Sequence, residues 1–242
     1  MKFGLIGDGY AARRHKKAIQ HVGGSLEWIH DPPKYEQTKE VEVNYNGVDY
    51  VIIACPNYLH HLYTKRILAN SDAKVICEKP LCLPWEPIID DDRINICMQL
   101  RYMENLPEPA ETDLINVTMV RDADFFKSWK GNPRLSGGNF YEFFIHYIDL
   151  AILLDADFEG EVKSEGTQIR EIITLNGKAI DLMGMDMQAL YNRMYEEILA
   201  GRGIKPRDVF YLHYILDKNS EEHGFRYSGT IHKVRIGREQ LC

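Results

Sequence analysis

The sequence predicts an α/β chain in two parts, a parallel-sheet domain over residues 1–104 and an α+β domain over residues 105–242. Three observations carry this. Apolar strand-like runs alternate with helical patterns at Lys2–Ile6 and Tyr10–Val22, at Asp49–Cys55 and Tyr58–Ala69, and again from Lys74 to Cys77, the order that builds a parallel sheet with crossover helices. A Pro- and Glu-rich stretch, Glu104–Glu111, then breaks the rhythm and reads as a crossover between domains. Beyond it, Leu114–Val120 places Ile115, Val117 and Met119 on one face and Asn116, Thr118 and Val120 on the other, the alternation of a half-buried strand.

Composition narrows the function class. The 242 residues are 45% hydrophobic and carry a net charge of −7, enough apolar material for a real core and an unfavourable balance for general nucleic-acid binding. No apolar run reaches the length of a membrane span, and the sequence opens directly in a core strand, so neither a membrane segment nor a signal peptide is expected. The five cysteines, Cys55, Cys77, Cys82, Cys97 and Cys242, form no Cys-x-x-Cys pair; they read as reduced core residues of a cytoplasmic protein rather than a zinc site.

In chain order, Lys2–Ile6 runs into the turn Gly7-Asp-Gly-Tyr-Ala-Ala12 and then a helix that stops at Gly23-Gly24. Gly7, Gly9 and Ala12 occupy the three small-residue positions of the G-x-G-x-x-G/A fingerprint: a tight turn, a close backbone approach to a pyrophosphate, and helix-on-strand packing. Gly7, Gly9, Tyr10, Ala11 and Ala12 are therefore candidate dinucleotide-binding residues, with the helix N-terminus facing the phosphates. The basic run Arg13-Arg14-His15-Lys16-Lys17 reads as the solvated part of that helix. Ser25–His30 is the second strand, and Asp31 ends it. A carboxylate there accepts from the ribose hydroxyls and repels a 2′-phosphate, which selects NAD. Tyr35 and Lys39 match a Tyr-x-x-x-Lys spacing, but they follow strand two, at the adenosine end, and are set aside.

Pro56 and Asn57 close the next buried strand at the carboxyl edge of the sheet, where open α/β sheets bind ligands. His60 and His61 follow; as neighbours they do not share a helix face, and His60 joins the cofactor-binding candidates. The strand Lys74–Cys77 delivers Glu78-Lys79-Pro80 at the same edge, and Glu78 and Lys79 join the cofactor-binding candidates. A lysine fixed there can hydrogen-bond a substrate oxygen beside the nicotinamide; the competing reading is a charged pair that caps a strand before a proline. Asp90-Asp91-Asp92 is left as an acidic turn, and no metal is expected.

Several motifs together resemble the glucose-fructose oxidoreductase and inositol dehydrogenase (Gfo/Idh/MocA) family: Gly7-Asp-Gly-Tyr-Ala-Ala12, Cys55-Pro-Asn-Tyr-Leu-His60, Cys77-Glu-Lys-Pro80, and Gly137-Gly138 with His146 and Asp149. The resemblance implies an N-terminal Rossmann domain that binds NAD and a C-terminal α+β domain with an open, mainly antiparallel sheet. It implies Lys79 and His146 as the catalytic pair. Gln99-Leu-Arg101, Ser128-Trp-Lys-Gly131, Ile173-Thr-Leu-Asn-Gly177 and Tyr195–Gly203 extend the likeness, in order, to the dehydrogenases that oxidise the 3-hydroxyl of UDP-N-acetylglucosaminuronate. The implied substrate is thus a UDP-linked sugar, with Arg101 and Lys130 as cationic donors to its anionic oxygens. Trp129, beside Phe125-Phe126, joins the substrate-binding candidates, since a uracil ring could stack on one of these aromatics, although such aromatics are more often core. The sequence departs from the family at Glu142, where Asp or Asn is usual, and at Phe144, where a small residue is usual. It is also compact, with little room for family strands between Leu154 and Ile169.

Asn139–Leu154 reads as one helix that carries Glu142, His146 and Asp149 at i, i+4 and i+7, hence on one face. Two carboxylates beside an imidazole orient it and raise its basicity, so Glu142 joins the catalytic candidates and Asp149 the substrate-binding ones. Asn176-Gly177 is a tight turn. Gln188–Ala200 is a helix with Leu190, Met194 and Ile198 in one stripe, expected to pack on the second sheet. Lys205–Asp217 is a further helix, and Phe225–Ile236 a strand pair with a phase slip. A sheet with one uncovered face would join copies of the chain into a homo-oligomer. Two rival functions stay open: a non-catalytic binding homologue, and a dehydrogenase of a free sugar or polyol.

Overall fold

The computed structural model describes residues 1–32, 43–104, 106, 114–164, 170–180, 186–223 and 231–234. The chain forms two compact units, one from Met1–Tyr102 with Asp186–Phe210, the other from Met103–Met185 with Tyr211–Cys242. The sequence reading divides the chain into residues 1–104 and 105–242; in the structure Asp186–Phe210 groups with the first unit.

The first unit is built on a five-stranded sheet of order β2-β1-β3-β4-β5. Its strands are β1 (Lys2–Ile6), β2 (Ser25–His30), β3 (Tyr50–Ile53), β4 (Lys74–Glu78) and β5 (Ile94–Cys97), and every neighbouring pair is parallel. In the middle of the sheet the runs are continuously apolar and buried: Val51, Ile52 and Ile53 are 0% exposed, as a strand covered on both faces requires. Strand β2, at the edge, alternates instead between exposed and half-buried positions. Gly4 faces Trp28 so closely that a Cβ would lie 2.1 Å from the indole; only glycine lets the two strands keep their spacing. Helix α1 (Tyr10–His21) follows β1, and α2 (His60–Asn70) follows β3 after a 3₁₀ turn at Asn57–Leu59. The sheet order reverses between β1 and β3, so the loops at their carboxyl ends flank a topological switch point, where such sheets take ligands.

The second unit has strands β6 (Leu114–Arg121), β7 (Asp157–Ser164), β8 (Arg170–Leu175), β9 (Lys178–Ile180) and β10 (Ile231–Val234) in the order β10-β7-β6-β8-β9. Only β6–β7 is parallel; the other three pairs are antiparallel, in agreement with the mainly antiparallel sheet expected. Ile115, Val117 and Met119 are buried along one face of β6. Asn176 and Gly177 both have positive φ, 48° and 75°, the turn that joins β8 to β9 with the right twist. The strand-like runs read over Phe158–Leu175 are β7 and β8, of eight and six residues.

Five further helices complete the described residues of the two units. In the second, α3 (Ala123–Lys127) and α4 (Pro133–Ser136) precede a π-turn at Phe140–Phe144, which leads into α5 (Ile145–Leu153). Helix α5 lies against β6 and β7, where the rings of Phe144 and Phe158 stand 5.2 Å apart and a Cβ on Gly160 would strike both. Phe144, the departure noted in the sequence, is thus a fully buried core ring. Helix α6 (Met187–Leu199) belongs to the first unit and packs on α1, which corrects the expectation that it covers the second sheet. Its stripe Leu190, Met194 and Ile198 is buried as predicted, and Gln188 Nε2 donates to the Arg14 carbonyl at 3.1 Å. Helix α7 (Phe210–His223) follows a 3₁₀ turn at Pro206–Val209. The Tyr35–Lys39 spacing, the crossover segment 107–111, the turn at Ser228-Gly229 and Cys242 fall outside the described residues.

Candidate active site

In the first unit, the candidate cofactor residues meet at the carboxyl ends of β1, β3 and β4. The turn after β1 is made by Gly7 at φ 97°, with its N–H donating to the His30 carbonyl at 2.7 Å. A Cβ there would lie 2.5 Å from the Ala54 carbonyl oxygen, so the conformation and the close approach both demand glycine. Gly9 differs: a Cβ on it would meet nothing within 4 Å. Its bare backbone faces open space at the N-terminus of the 12-residue α1, where no side chain caps the first N–H groups. Free N–H groups, the positive dipole end and a bare approach fit a pyrophosphate.

Asp31 stands at the end of β2 with Oδ1 accepting the Asp8 N–H at 3.1 Å, and Asp8 in turn pairs with Lys16 at 2.6 Å. The candidate ribose carboxylate and the glycine turn are therefore tied into one loop cluster. Tyr10 is 73% exposed and receives a hydrogen bond from Arg14 at 2.9 Å. Ala12 is fully buried, Ala11 half-buried. The residues present thus fit NAD.

Pro56 and Asn57 follow β3, with Asn57 buried. Beside them His60, 1% exposed, places Nδ1 2.6 Å from the Pro80 carbonyl and Nε2 2.8 Å from the Cys55 carbonyl. Burial holds its basicity below the ordinary histidine range, against the opposing pull of those two carbonyls. His60 thus joins the loop after β3 to the loop after β4. His61, by contrast, is half-buried.

Strand β4 ends at Glu78, and Lys79 follows, half-buried, joined to Pro80 through a cis peptide. Glu78 is itself 7% exposed. Its Oε1 accepts from Tyr191 at 2.6 Å, faces His15 Nε2 at 3.0 Å, and takes a longer bond from Gln99 at 3.4 Å. His15 Nδ1 in turn lies 2.8 Å from the Tyr195 hydroxyl. Burial alone would raise the Glu78 pKa, but the hydrogen bond and charge of His15, the Tyr191 hydroxyl and the charge of Lys79 together bring it down from 4.5 to about 2. Ligand atoms of His15, Glu78 and Cys97 lie within 4.8 Å of one another, and His15 and Glu78 are held at 3.0 Å by their hydrogen bond.

This cluster is what sequence reasoning missed. His15 was placed with the solvated basic run, yet it is 0% exposed. The signal was present in the helical period: Ala12, His15, Ala18 and Ile19 share the buried face of α1, so a basic residue on that stripe needs an internal partner. Tyr191 and Tyr195, on α6, carried no such mark. Arg101 lies in a 3₁₀ turn after β5, with Nη2 donating to the Asp208 carbonyl at 3.1 Å.

In the second unit, Lys130 and Glu142 are brought together at 2.9 Å, with the lysine side chain 41% and the glutamate side chain 6% exposed. The ammonium lies 5.3 Å from the Phe125 ring centre and 5.5 Å from that of Trp129, within cation–π range. Glu142 sits in the π-turn and His146 in the first turn of α5, so the single α-helix expected over Asn139–Leu154 is a composite. His146 is half-buried and Asp149 buried at 1%.

Residues 1–90 match the model of an oxidoreductase family described by its NAD-binding Rossmann fold, Gfo/Idh/MocA. Among solved structures, the WlbA (WbpB) dehydrogenase from Thermus thermophilus, in complex with NAD and UDP-GlcNAcA, superimposes with a TM-score of 0.72 at 22% identity, over 95% of this chain and 97% of that one. The WlbA dehydrogenase from Bordetella pertussis, with NADH and UDP-GlcNAcA, gives 0.58 at 15% identity over 91% and 97%. UDP-N-acetylglucosamine 3-dehydrogenase GnnA from Acidithiobacillus ferrooxidans gives 0.58 at 13% over 90% and 96%. The chain shares their two-unit fold. The likeness to the Gfo/Idh/MocA oxidoreductases thus covers residues 1–90, the Rossmann part of the chain.

Proposed function

We propose that the protein is an NAD-dependent dehydrogenase that oxidises a secondary hydroxyl, the one at C3, of a UDP-linked N-acetylated sugar or uronate. The observation that carries this reading is the delivery of Lys79 by β4 to the same sheet edge as the glycine turn and Asp31. The fold likeness to dehydrogenases solved with NAD and UDP-GlcNAcA supports the substrate class.

Bound NAD supplies the hydride acceptor. Lys79 donates a hydrogen bond to the reacting oxygen and steadies the charge that grows there. His146 takes the hydroxyl proton as general base, with Glu142 and Asp149 as the neighbouring carboxylates that fix its orientation. Lys130 and Arg101 supply cationic donors for phosphate or carboxylate oxygens, and Trp129 a ring for the base. The open face of the second sheet, where Ile172 is 52% exposed, is the surface through which copies of the chain would associate.

The test is to mix the protein with NAD and, in turn, UDP-GlcNAcA, UDP-GlcNAc and free polyols, and to follow NADH by absorbance. A UDP-sugar is expected to turn over, and Lys79→Met to slow it about 10²–10³-fold while NAD still binds. NAD binding without turnover of any sugar would favour a non-catalytic homologue; turnover of polyols alone would move the substrate class.

A further inference from the structure

The network around Glu78 has no place in the chemistry described so far, yet it is the most elaborate buried polar cluster of the first unit among the described residues. One carboxylate oxygen gathers bonds from three elements. His15 comes from α1, Tyr191 from α6 and Gln99 from the turn after β5, each of the three less than 5% exposed. Burying a carboxylate costs heavily unless donors replace water. Here they do, and a neighbouring hydrophobic residue would have filled the space more cheaply. The residue so held stands next to Lys79.

We infer that Glu78 is a positioning residue for Lys79: its carboxylate, locked in place by His15, Tyr191 and Gln99, fixes the end of β4 and keeps the adjacent lysine in its ammonium form. This rests on the proposed role of Lys79 at the reacting oxygen, since the ammonium form is the stronger donor and the one that carries charge to steady that oxygen. The charge relation is reciprocal. Lys79 helps hold the Glu78 carboxyl in its ionised form, so the carboxylate must favour the lysine's charged form by the same interaction. The titratable groups around Glu78 include His15 on α1, Tyr191 and Tyr195 on α6, Cys97 on β5, Cys77 on β4, His60 on α2, and Lys79 itself. Burial and the charge of Glu78 push the Cys97 thiol and the Tyr191 hydroxyl well above their usual ranges. Near neutral pH both therefore stay uncharged, and neither takes over the carboxylate's part.

The experiment measures the lysine directly. The full-length protein is labelled with trace acetic anhydride across a pH series, and acetylation of the Lys79 peptide is read by mass spectrometry, with NAD titrations to show that each variant is folded. In Glu78→Gln the midpoint of Lys79 labelling is expected to fall by about one pH unit, and in Glu78→Asp, which keeps the charge, to return most of the way to wild type. A Glu78→Gln curve that superimposes on wild type, or equal shifts in Gln and Asp variants, overturns the inference. The alkaline limb of NADH formation is recorded in parallel. A labelling midpoint that moves supports the inference whatever the limb does; a limb that fails to move with it counts against Lys79 as the residue at the reacting oxygen.

Discussion

Glu78 and Glu142 are both 7% exposed, each sits beside a residue proposed to act on substrate, and they are held in opposite ways. Glu78 is surrounded by partners as buried as itself, drawn from α1, α6 and β5's turn. Glu142 is paired with a lysine whose side chain is 41% exposed, resting on the Phe125 and Trp129 rings. An enclosed carboxylate with fixed donors is part of the framework, because its partners have nowhere else to go. A carboxylate whose cation reaches solvent is exchangeable: an anionic ligand can compete for Lys130 at the cost of one partly hydrated pair. The first unit thus stiffens the edge that carries Lys79, and the second keeps a cation within reach of solvent.

Isosteric neutralisation is the sharpest way to break this contrast. Glu78→Gln is expected to cost about 2 kcal/mol of stability, since buried donors to a charged acceptor are left with a neutral one and an added NH2 to satisfy. Glu142→Gln should cost about 0.5 kcal/mol, the scale of a half-exposed ion pair. Denaturant unfolding of the two variants decides it, and equal losses would remove the distinction.

Acid titration sharpens it next. The Glu78 carboxyl falls from 4.5 in the unfolded chain to about 2 in the folded one. A depressed carboxyl pKa adds stability that is complete above the unfolded value and is lost as pH drops through the folded one. The unfolding midpoint should therefore decline between pH 4.5 and about 2, and decline less steeply in Glu78→Gln. Identical slopes in the variant and wild type would mean that other carboxylates govern acid unfolding.

The smallest stability effect belongs to Lys130. Lys130→Met keeps the apolar stem over the two rings and should leave stability within about 0.5 kcal/mol, while raising the KM for a UDP-sugar about tenfold, the loss of one charge-assisted contact. A large stability loss with unchanged KM would make Lys130 framework, like the partners of Glu78.

Much of the fold was legible in the residues, and the reasons are local. Strand β2 runs over Ser25–His30 as read, with Asp31 at its end, because alternation and the following prolines mark both its course and its stop. Gly7 could be assigned to a turn because a positive φ has few other occupants. The Lys79 edge followed from a strand that ends on a charged pair before proline. Where the reading failed, the missing information lay far away in the chain. Charge at Arg13–Lys17 suggested solvent for the whole run, although the position of His15 on the stripe of Ala12, Ala18 and Ile19 already argued for the interior. Helix α6 shows the correct buried stripe, but a stripe does not name its partner, and α1 took it rather than the second sheet.

By itself, the sequence determined which segments are strands and helices, where the glycine turn and the Glu78-Lys79-Pro80 edge fall, and that a carboxylate closes β2. Those properties depend on backbone angles and side-chain periods over a handful of residues. Only the tertiary structure decided what each buried charge touches: His15 meets Glu78 across 63 positions, Tyr191 meets it across 113, and Tyr195 meets His15 across 180. A desolvated carboxylate takes whichever donors packing brings to it, and a chain that leaves the first unit at Tyr102 and returns at Asp186 sets that choice through its topology.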